Sequence, residues 1–431
     1  MVGVKLKKKR VAFRIFSGNR LTLPLLLNIW EKEELDRHFD IFLVDAEPGR
    51  LTSKETTVLQ ASDVCIYSFM TPHLPLFAAE IKSLRAAGIS APRLAAGGPH
   101  VSGDRELARA CGFDILFSGA AEDSFLRFAH DLLGEKITAK GDPLFYEAPT
   151  NAADASPAGD LSWERYIPAS RYFKTVPPLE IARGCFWSCG YCQTGKSKPR
   201  YRGQDSIGSY LEELRRRGFS RVGFIAPSAL EFAACRRQRP DLGRVEQLLE
   251  LCRLAGFKFI ELGIFPSEIR PDTVSAEGLG LLRRYVANRR LTFGAQSAVN
   301  ARLDSIGRGH TSAQIVSAVA AANAAGFAVN LDFIIALPGE TAAERRELLE
   351  FISAMRKKYR VHIQLHHFFP LAGSAFAWRL PSFLSADERQ VFSALKKNGL
   401  ASDWWQEGER AARAYLSWLA SDFPVFFAQF K

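Results

Sequence analysis

Arg183-Gly-Cys-Phe-Trp-Ser-Cys-Gly-Tyr-Cys-Gln193 sets three thiols, Cys185, Cys189 and Cys192, at C-x3-C-x2-C spacing. A segment this short brings three sulfurs around one small object. A structural zinc site takes four ligands, and a self-contained iron–sulfur cluster usually takes four cysteines. Neither a histidine nor a fourth cysteine follows closely, since the next thiol, Cys235, stands alone. Three thiolates on a [4Fe–4S] cluster leave one iron open, as catalytic metal sites keep a position free for substrate. A zinc knuckle and incidental core cysteines are the competing readings.

Outward from this loop the chain alternates between strand-length and helix-length patterns. Towards the N-terminus, apolar runs at Val11–Phe16, Ile41–Val44, Val64–Phe69, Arg93–Ala96 and Ile115–Phe117 read as strands. Helical patterns such as Leu74–Ala87 lie between them, and Ser124–Leu133 follows the last. Five strands with four crossovers predict an α/β, Rossmann-like doubly wound parallel sheet over residues 1–133. Ligands of such sheets bind beyond the carboxyl ends of the strands. Four of those ends carry glycine or hydroxyl residues: Ser17-Gly-Asn19, Ser68-Phe-Met-Thr-Pro-His73, Gly97-Gly-Pro-His-Val-Ser102 and Ser118-Gly-Ala-Ala-Glu122. Glycine lets a backbone come close to a ligand. The absence of G-x-G-x-x-G after the first strand argues against NAD or FAD.

Residues 134–177 read as a linker, with turn formers at Gly141-Asp-Pro143, Ala148-Pro149 and Asn151–Pro157. A second alternation, over 178–380, has strands at Leu179–Ala182, Val222–Ile225, Phe257–Leu262, Leu291–Gly294, Val329–Ile335 and His362–Phe369. Helices such as Ile207–Arg217, Val245–Ala255, Ala313–Ala325 and Ala342–Lys358 fit between them. Residues 381–431 are helical in pattern and rich in aromatics, an extension that either closes the second domain or covers a substrate.

The cysteine loop, placed after the first strand of this second alternation, resembles the radical S-adenosylmethionine (SAM) superfamily. The resemblance implies a partial (β/α)6 TIM barrel with its site at the strands' carboxyl ends. It implies a [4Fe–4S] cluster on Cys185, Cys189 and Cys192, whose open iron chelates SAM and whose electron cleaves it to a 5′-deoxyadenosyl radical. Tyr191 matches the aromatic that lies near the adenine. Gly294-Ala-Gln-Ser297 resembles the polar segment at the ribose or methionine end of SAM, which implicates Gln296 and Ser297. Arg308 resembles an arginine suited to the SAM carboxylate. Leu337-Pro-Gly-Glu-Thr341 and Phe369-Pro-Leu-Ala-Gly-Ser374 match further strand-end motifs in the right order. The usual Gly-Gly-Glu after the second strand is replaced by Ala226-Pro-Ser-Ala229, so backbone carbonyls or Ser228 substitute for the SAM amino contact, with Glu268 and Arg270 either contributing or forming a salt-bridged structural pair.

With its N-terminal domain, the chain resembles the cobalamin (B12)-binding-domain branch of that superfamily. This implies corrinoid contacts from Ser68, Thr71, Gly97, Gly98, His100 and Gly119. The D-x-H-x-x-G signature is absent, as in much of the branch, so no axial histidine comes from it. Gly119-Ala-Ala-Glu122 replaces the usual Gly-Glu-Gly-Glu. The implied function is cobalamin-dependent methyl transfer to an unactivated carbon of a small-molecule substrate, served by a reductant protein such as flavodoxin or ferredoxin. A radical rearrangement or cyclisation without cobalamin is the alternative, and a catalytically silent iron–sulfur partner-binding protein is another. No catalytic residue is assigned. A methylthio-transfer enzyme on RNA would carry further cluster cysteines near its N-terminus and an RNA-binding domain, and neither is seen.

Composition is consistent with this. Of 431 residues, 47% are hydrophobic and 24% charged, the profile of a soluble globular protein with two or three domains. Lys and Arg outnumber Asp and Glu by 57 to 46. Part of the excess sits in Lys5-Leu-Lys-Lys-Lys-Arg10 and part in Arg215-Arg-Arg217, which can pair with Glu212-Glu213 on a helix. No nucleic-acid-binding motif accompanies these basic runs. Seven cysteines with three clustered do not make a disulfide framework. No signal peptide core or membrane-length apolar run is present, and a reducing cytoplasm is expected. Of His366-His367, strand alternation lets at most one enter the barrel.

Overall fold

The computed structural model describes residues 8–86, 92–137, 144–148 and 162–431. The start of the N-terminal basic run and the turn formers at 141–143, 149 and 151–157 lie outside the described residues. The chain divides into two compact units, Met1–Pro177 with Leu371–Gly373, and Pro178–Pro370 with Ser374–Lys431.

The first unit is built on a parallel sheet of β1 (Lys9–Ile15), β2 (Phe39–Asp45), β3 (Val64–Ser68), β4 (Arg93–Gly97), β5 (Ile115–Ser118) and β6 (Leu144–Glu147). Their spatial order is β2-β1-β3-β4-β5-β6, every neighbouring pair parallel. The five expected strands all form. The sixth lies inside the segment read as a linker, and residues 162–177 also count with this unit, so its body extends past residue 133. Parallel strands covered on both faces need unbroken apolar runs, and all five residues of β3 are buried. Trp30, from the helix Leu23–Lys32, anchors one layer by stacking on Phe39 and Phe125, each with ring centroids 4.8 Å away. One buried charge interrupts β1. The Arg14 guanidinium pairs with Glu80 through two contacts of 3.0 Å, and Tyr67 Oη donates to the same carboxylate.

The second unit contains β7 (Leu179–Glu180), β8 (Ala182–Arg183), β9 (Arg200–Tyr201), β10 (Arg221–Ile225), β11 (Phe259–Glu261), β12 (Arg290–Gln296), β13 (Ala328–Ile335) and β14 (Val361–His367). Two parallel three-stranded leaves, β7-β10-β11 and β12-β13-β14, are joined at a seam. No regular β11–β12 ladder makes that seam. It includes Ala287 N–H donating to Ile260 O (2.8 Å), Thr292 N–H to Gly263 O (2.8 Å), Ile269 N–H to Thr292 O (2.9 Å) and Gly294 N–H to Ile269 O (3.2 Å), with the Asn288 side chain joined to the Leu262 backbone. The result is the expected open (β/α)6 arrangement. Its helices are Gln204–Arg216, Leu242–Leu254, Ala276–Tyr285, Ser312–Ala324 and Ala342–Lys358. The C-terminal extension supplies Ala386–Lys397 and Trp404–Asp422. Between them Ala401 makes a parallel bridge to Ile363, and Ser402 N–H donates to Ile363 O at 2.9 Å. The extension thereby lengthens the barrel edge beside β14. Among the described residues, no helix is long and apolar enough to cross a membrane.

Candidate functional site

The cysteine loop is cinched at its neck by the antiparallel pairing of β8 with β9, Ala182 opposite Tyr201 and Arg183 opposite Arg200. Inside the loop, Cys185 N–H donates to Ser197 O (3.0 Å) and Cys192 N–H to Cys189 O (3.0 Å). Gly190 ties it to the barrel, donating to Ile306 O (2.9 Å) and accepting from Phe376 N–H (2.8 Å). Burial raises the Cys185 pKa, and nearby negative charge, that of Glu231 included, adds to the rise. Two sulfurs already accept donors, Cys192 Sγ from Thr194 N–H at 3.4 Å and Cys189 Sγ from the Arg308 guanidinium at 3.9 Å. Donors aimed at sulfur stabilise thiolates, so the set suits an iron–sulfur cluster. Among the described residues no three His, Cys, Asp or Glu side chains gather around a single-ion site. Cys235 is exposed and Cys252 buried on the helix Leu242–Leu254.

Arg308 is the hub of the surrounding charge. One nitrogen donates to Gly294 O at 2.7 Å and its Nε is buried with no partner among the described residues. Its side chain crosses β12 where Gly294 has none, and a Cβ there would sit 2.6 Å from Arg308 Nη2. Arg270, almost fully buried, donates to Arg308 O and stacks its guanidinium 3.7 Å from the centre of the Trp187 ring. Asp272 lies 3.1 Å from Arg270 and 3.9 Å from His310. Burial, reinforced by Arg308 and Arg270, pushes the His310 pKa down to about 3, so this histidine is neutral. Neither Asp272 nor His310 is among the candidates read from the sequence. The signal for both was a cluster of polar residues at consecutive strand ends.

The remaining SAM-directed residues divide. Tyr191 packs on Ile306, Leu337 and Phe368. Gln296 ends β12 at a bulge with φ of 66°. Ser228 is buried and its hydroxyl has no partner among the described residues. Glu268 lies on the loop whose backbone accepts from Ala229 N–H (2.8 Å), and burial raises its pKa against the pull of Arg308. Ser297 is committed to the chain itself, its hydroxyl accepting from Val299 N–H at 3.2 Å. Leu337–Thr341 is likewise explained by folding: Glu340 accepts from Ala336 N–H, and Thr341 with Glu344 forms the capping box of the helix Ala342–Lys358. His367 is buried against Phe383, and its Nδ1 meets Phe368 O at 2.7 Å, whereas His366 faces Asp332.

In the first unit the expected corrinoid contacts are largely turned inward. His100 is fully buried on Phe69, its Nδ1 3.3 Å from Thr71 Oγ1, and burial lowers its pKa to about 3. Thr71 Oγ1 also accepts from Ala372 N–H at 3.1 Å. Gly98 has φ of 94°, and a Cβ there would lie 2.9 Å from Phe69 N and O and 3.0 Å from Ser68 Oγ. The strand-end glycine is therefore demanded by the chain's own packing. Gly97 is buried beside Phe117, while Gly119 is exposed.

Residues 179–352 match the Radical SAM superfamily. A ribosomal protein uS12 methylthiotransferase RimO from Chlorobium phaeobacteroides is 29% identical over 187 residues, 41% of each chain. The heme chaperone HemW of Bacillus subtilis is 37% identical over 82 residues, 19% of this chain and 21% of that one. The chain thus spans well under half the length of the curated relatives it matches. Among solved structures, the radical SAM methyltransferase TsrM from Kitasatospora setae, with cobalamin and a [4Fe–4S] cluster bound, superposes with a TM-score of 0.58 at 13% identity, over 86% of this chain and 74% of that one. The cobalamin-dependent SAM radical enzyme OxsB with aqua-cobalamin bound gives 0.54 at 15% identity, over 80% and 52%. These likenesses establish the fold.

Proposed function

Taking residues 179–352 as a radical SAM domain, we propose that the chain is a cobalamin-dependent methyltransferase acting on an unactivated carbon of a small molecule. The observation that carries the radical SAM part is the loop that sets three thiols at C-x3-C-x2-C spacing, two of their sulfurs accepting hydrogen bonds. Cys185, Cys189 and Cys192 hold the [4Fe–4S] cluster. When bound, the cluster and SAM together supply a carbon-centred radical, and the corrinoid supplies the methyl group. The protein's part is to bind and orient. Arg308, whose Nε has no partner among the described residues, meets the SAM carboxylate; Ser228 and Glu268 supply acceptors for its amino group; Tyr191 and Gln296 border the remainder. The Arg270–Trp187 stack buttresses Arg308 from behind.

The corrinoid part rests on the fold likeness. Since Thr71 and His100 are engaged within the first unit, corrinoid contact falls instead to backbone around Gly119 and to exposed Met70, with no axial histidine from a D-x-H-x-x-G motif. A cytoplasmic flavodoxin or ferredoxin is the proposed electron source. Methylthio transfer, suggested by the RimO similarity, would require additional cluster thiols. Only Cys65 and Cys111 precede the loop, and Cys65 is buried with its Sγ on Leu59 O.

Anaerobically reconstituted protein is expected to carry about four irons and four sulfides and, once reduced, to release 5′-deoxyadenosine from SAM. Alanine at any of the three loop cysteines removes the iron, while Cys235→Ala and Cys252→Ala retain it. Zinc without an iron chromophore would overturn the reading. Hydroxocobalamin should bind without a histidine from a D-x-H-x-x-G motif. Failure to bind, with cluster and SAM cleavage intact, would leave a cobalamin-free radical rearrangement or cyclisation in its place.

A further inference from the structure

On the surface of the second unit, basic residues crowd beside the cysteine loop. From Gly184 to Gln204 the chain has Lys196, Lys198, Arg200 and Arg202 and neither aspartate nor glutamate. Residues 232–240 likewise hold Arg236, Arg237 and Arg239 and no acid. Arg200, Arg236, Arg237 and Arg239 are exposed, whereas Arg202 is buried and donates to Glu180 O. The two stretches are joined. Arg237 Nε donates to Phe186 O at 2.7 Å, and its guanidinium lies 5.0 Å from the centre of the Trp187 ring. Tyr201, next to Arg200, donates to Ala234 O at 3.2 Å, and the Gln238 side chain donates to Asp272 at 2.8 Å and Gly309 O at 3.2 Å. Ala233 and Gln238 have φ of 59° and 54°, backbone conformations that persist where the surroundings hold them. The exposed segment therefore has a fixed shape against the loop.

Exposed arginines elsewhere in this unit are tied to carboxylates: Arg216 to Glu213 at 2.7 Å, Arg253 to Glu250 at 2.5 Å and Arg284 to Glu246 at 2.8 Å. Arg236 and Arg239 form no ion pair among the described residues, although Asp241 and Glu277 line the same open hollow of about 440 Å³ beside Cys235. Asp241 is engaged in capping the helix Leu242–Leu254, its Oδ1 accepting Arg244 N–H at 3.1 Å. Uncompensated positive charge on one face draws an acidic partner from a distance. A small set of exposed charges suits the brief encounters that redox partners make. Position says which acidic partner this is. Electron transfer weakens steeply with distance, so a carrier has to come against the loop of Cys185, Cys189 and Cys192, of which Cys185 and Cys192 are partly exposed. A nucleic acid gains nothing from that proximity.

We propose that Arg236, Arg237 and Arg239, with Arg200 at the loop's neck, form the docking surface for the reductant, an acidic carrier protein with a flavin or iron–sulfur group. The carrier gives up one electron and the cluster of the neighbouring loop takes it, with no proton or further reactant moved. That the partner is an electron carrier rests on the radical SAM reading; that it is acidic rests on the unpaired arginines alone.

The test titrates reconstituted holoprotein with flavodoxin by calorimetry at several ionic strengths, beside a short RNA oligonucleotide. Flavodoxin affinity is expected to fall about tenfold or more in Arg236→Glu with Arg239→Glu, and to weaken in the unmodified protein as salt rises. Arg346→Glu with Lys357→Glu, the same change of charge on the helix Ala342–Lys358, should leave it unchanged. Iron content and dithionite-driven SAM cleavage should match the unmodified protein in both double variants, whereas cleavage driven by reduced flavodoxin should fall only in the first. Bound flavodoxin should also slow the alkylation of exposed Cys235 by iodoacetamide, a measurement that needs no variant. Equal flavodoxin affinity in the first double variant and the unmodified protein overturns the surface, as does unaltered alkylation of Cys235. An equal loss in both double variants reduces the effect to net charge and overturns it too. RNA that displaces flavodoxin and loses affinity in the first variant assigns the patch to nucleic acid instead. Absence of dithionite-driven SAM cleavage in the unmodified protein would count against the radical SAM reading, and flavodoxin affinity would still decide the surface.

Discussion

Arg308 and Asp332 show how single side chains in this barrel depend on what their neighbours lack. Arg308 reaches Cys189 only because Gly294 is bare, so Gly294→Ala should disturb the guanidinium as Arg308→Ala does. We expect Arg308→Ala to weaken SAM binding by about 1.5–3 kcal/mol, the worth of a hydrogen bond to a charged group, read by equilibrium titration of the reconstituted protein. Asp332 makes a separate prediction about pH. Its folded pKa, about 8, lies above the ordinary aspartate value. The native state therefore holds a proton that the unfolded chain releases, and its contribution to stability declines as pH rises from about 4 towards 8. The groups facing it are Glu268, Arg308 and His366. Chemical denaturation of Asp332→Asn should show a flatter pH dependence over that window, by on the order of a few kcal/mol. An unchanged slope would place the titration elsewhere.

Among the elements, β1 and the turn after β4 are the most tightly specified. The Arg14–Glu80 pair is buried, with side-chain exposures of 0% and 4%, so its members depend on one another. Glu80→Leu alone leaves a buried guanidinium unpaired and should cost about 3–5 kcal/mol, whereas Arg14→Met with Glu80→Leu should recover much of that loss; urea denaturation of the three proteins checks this. Gly98→Leu would combine a positive φ with backbone atoms 2.9 Å away. Loss of about 2–4 kcal/mol is expected from strain and overpacking, seen as a lower denaturation midpoint with or without corrinoid. Strands such as β3 and β13 were legible because a buried parallel strand must be written as an apolar run. β6, only four residues long among turn formers, gave no such run, since its Phe145 and Glu147 face solvent.

For the molecule as a whole, five strands of the first sheet and the cysteine loop could be read in advance from periodicity and spacing, which are local properties. The open six-stranded arrangement was what the resemblance of that loop to the radical SAM superfamily implied. What could not be read was which polar strand-end residues the fold uses for itself. Thr71, His100, Ser297 and Thr341 look alike in sequence to Ser228 and Arg308, yet only the three-dimensional partners separate capping and packing from vacancy. The joint between the two barrel leaves was equally hidden, because loop backbone around Gly263 and Ile269 makes it where strand residues were expected. That joint carries a mechanical implication. A ladder distributes load over many rungs, but here a few irregular contacts bear the connection, and at its site end they are the amides of Ile269, Thr292 and Gly294. The barrel wall is thus most compliant along one line, beside the residues assigned to SAM. In heavy water these three amides should exchange sooner than those of Leu331 and Ile363, at the heart of the neighbouring leaf, and should slow when SAM is added, as a hinge stiffens when something is held in its jaws.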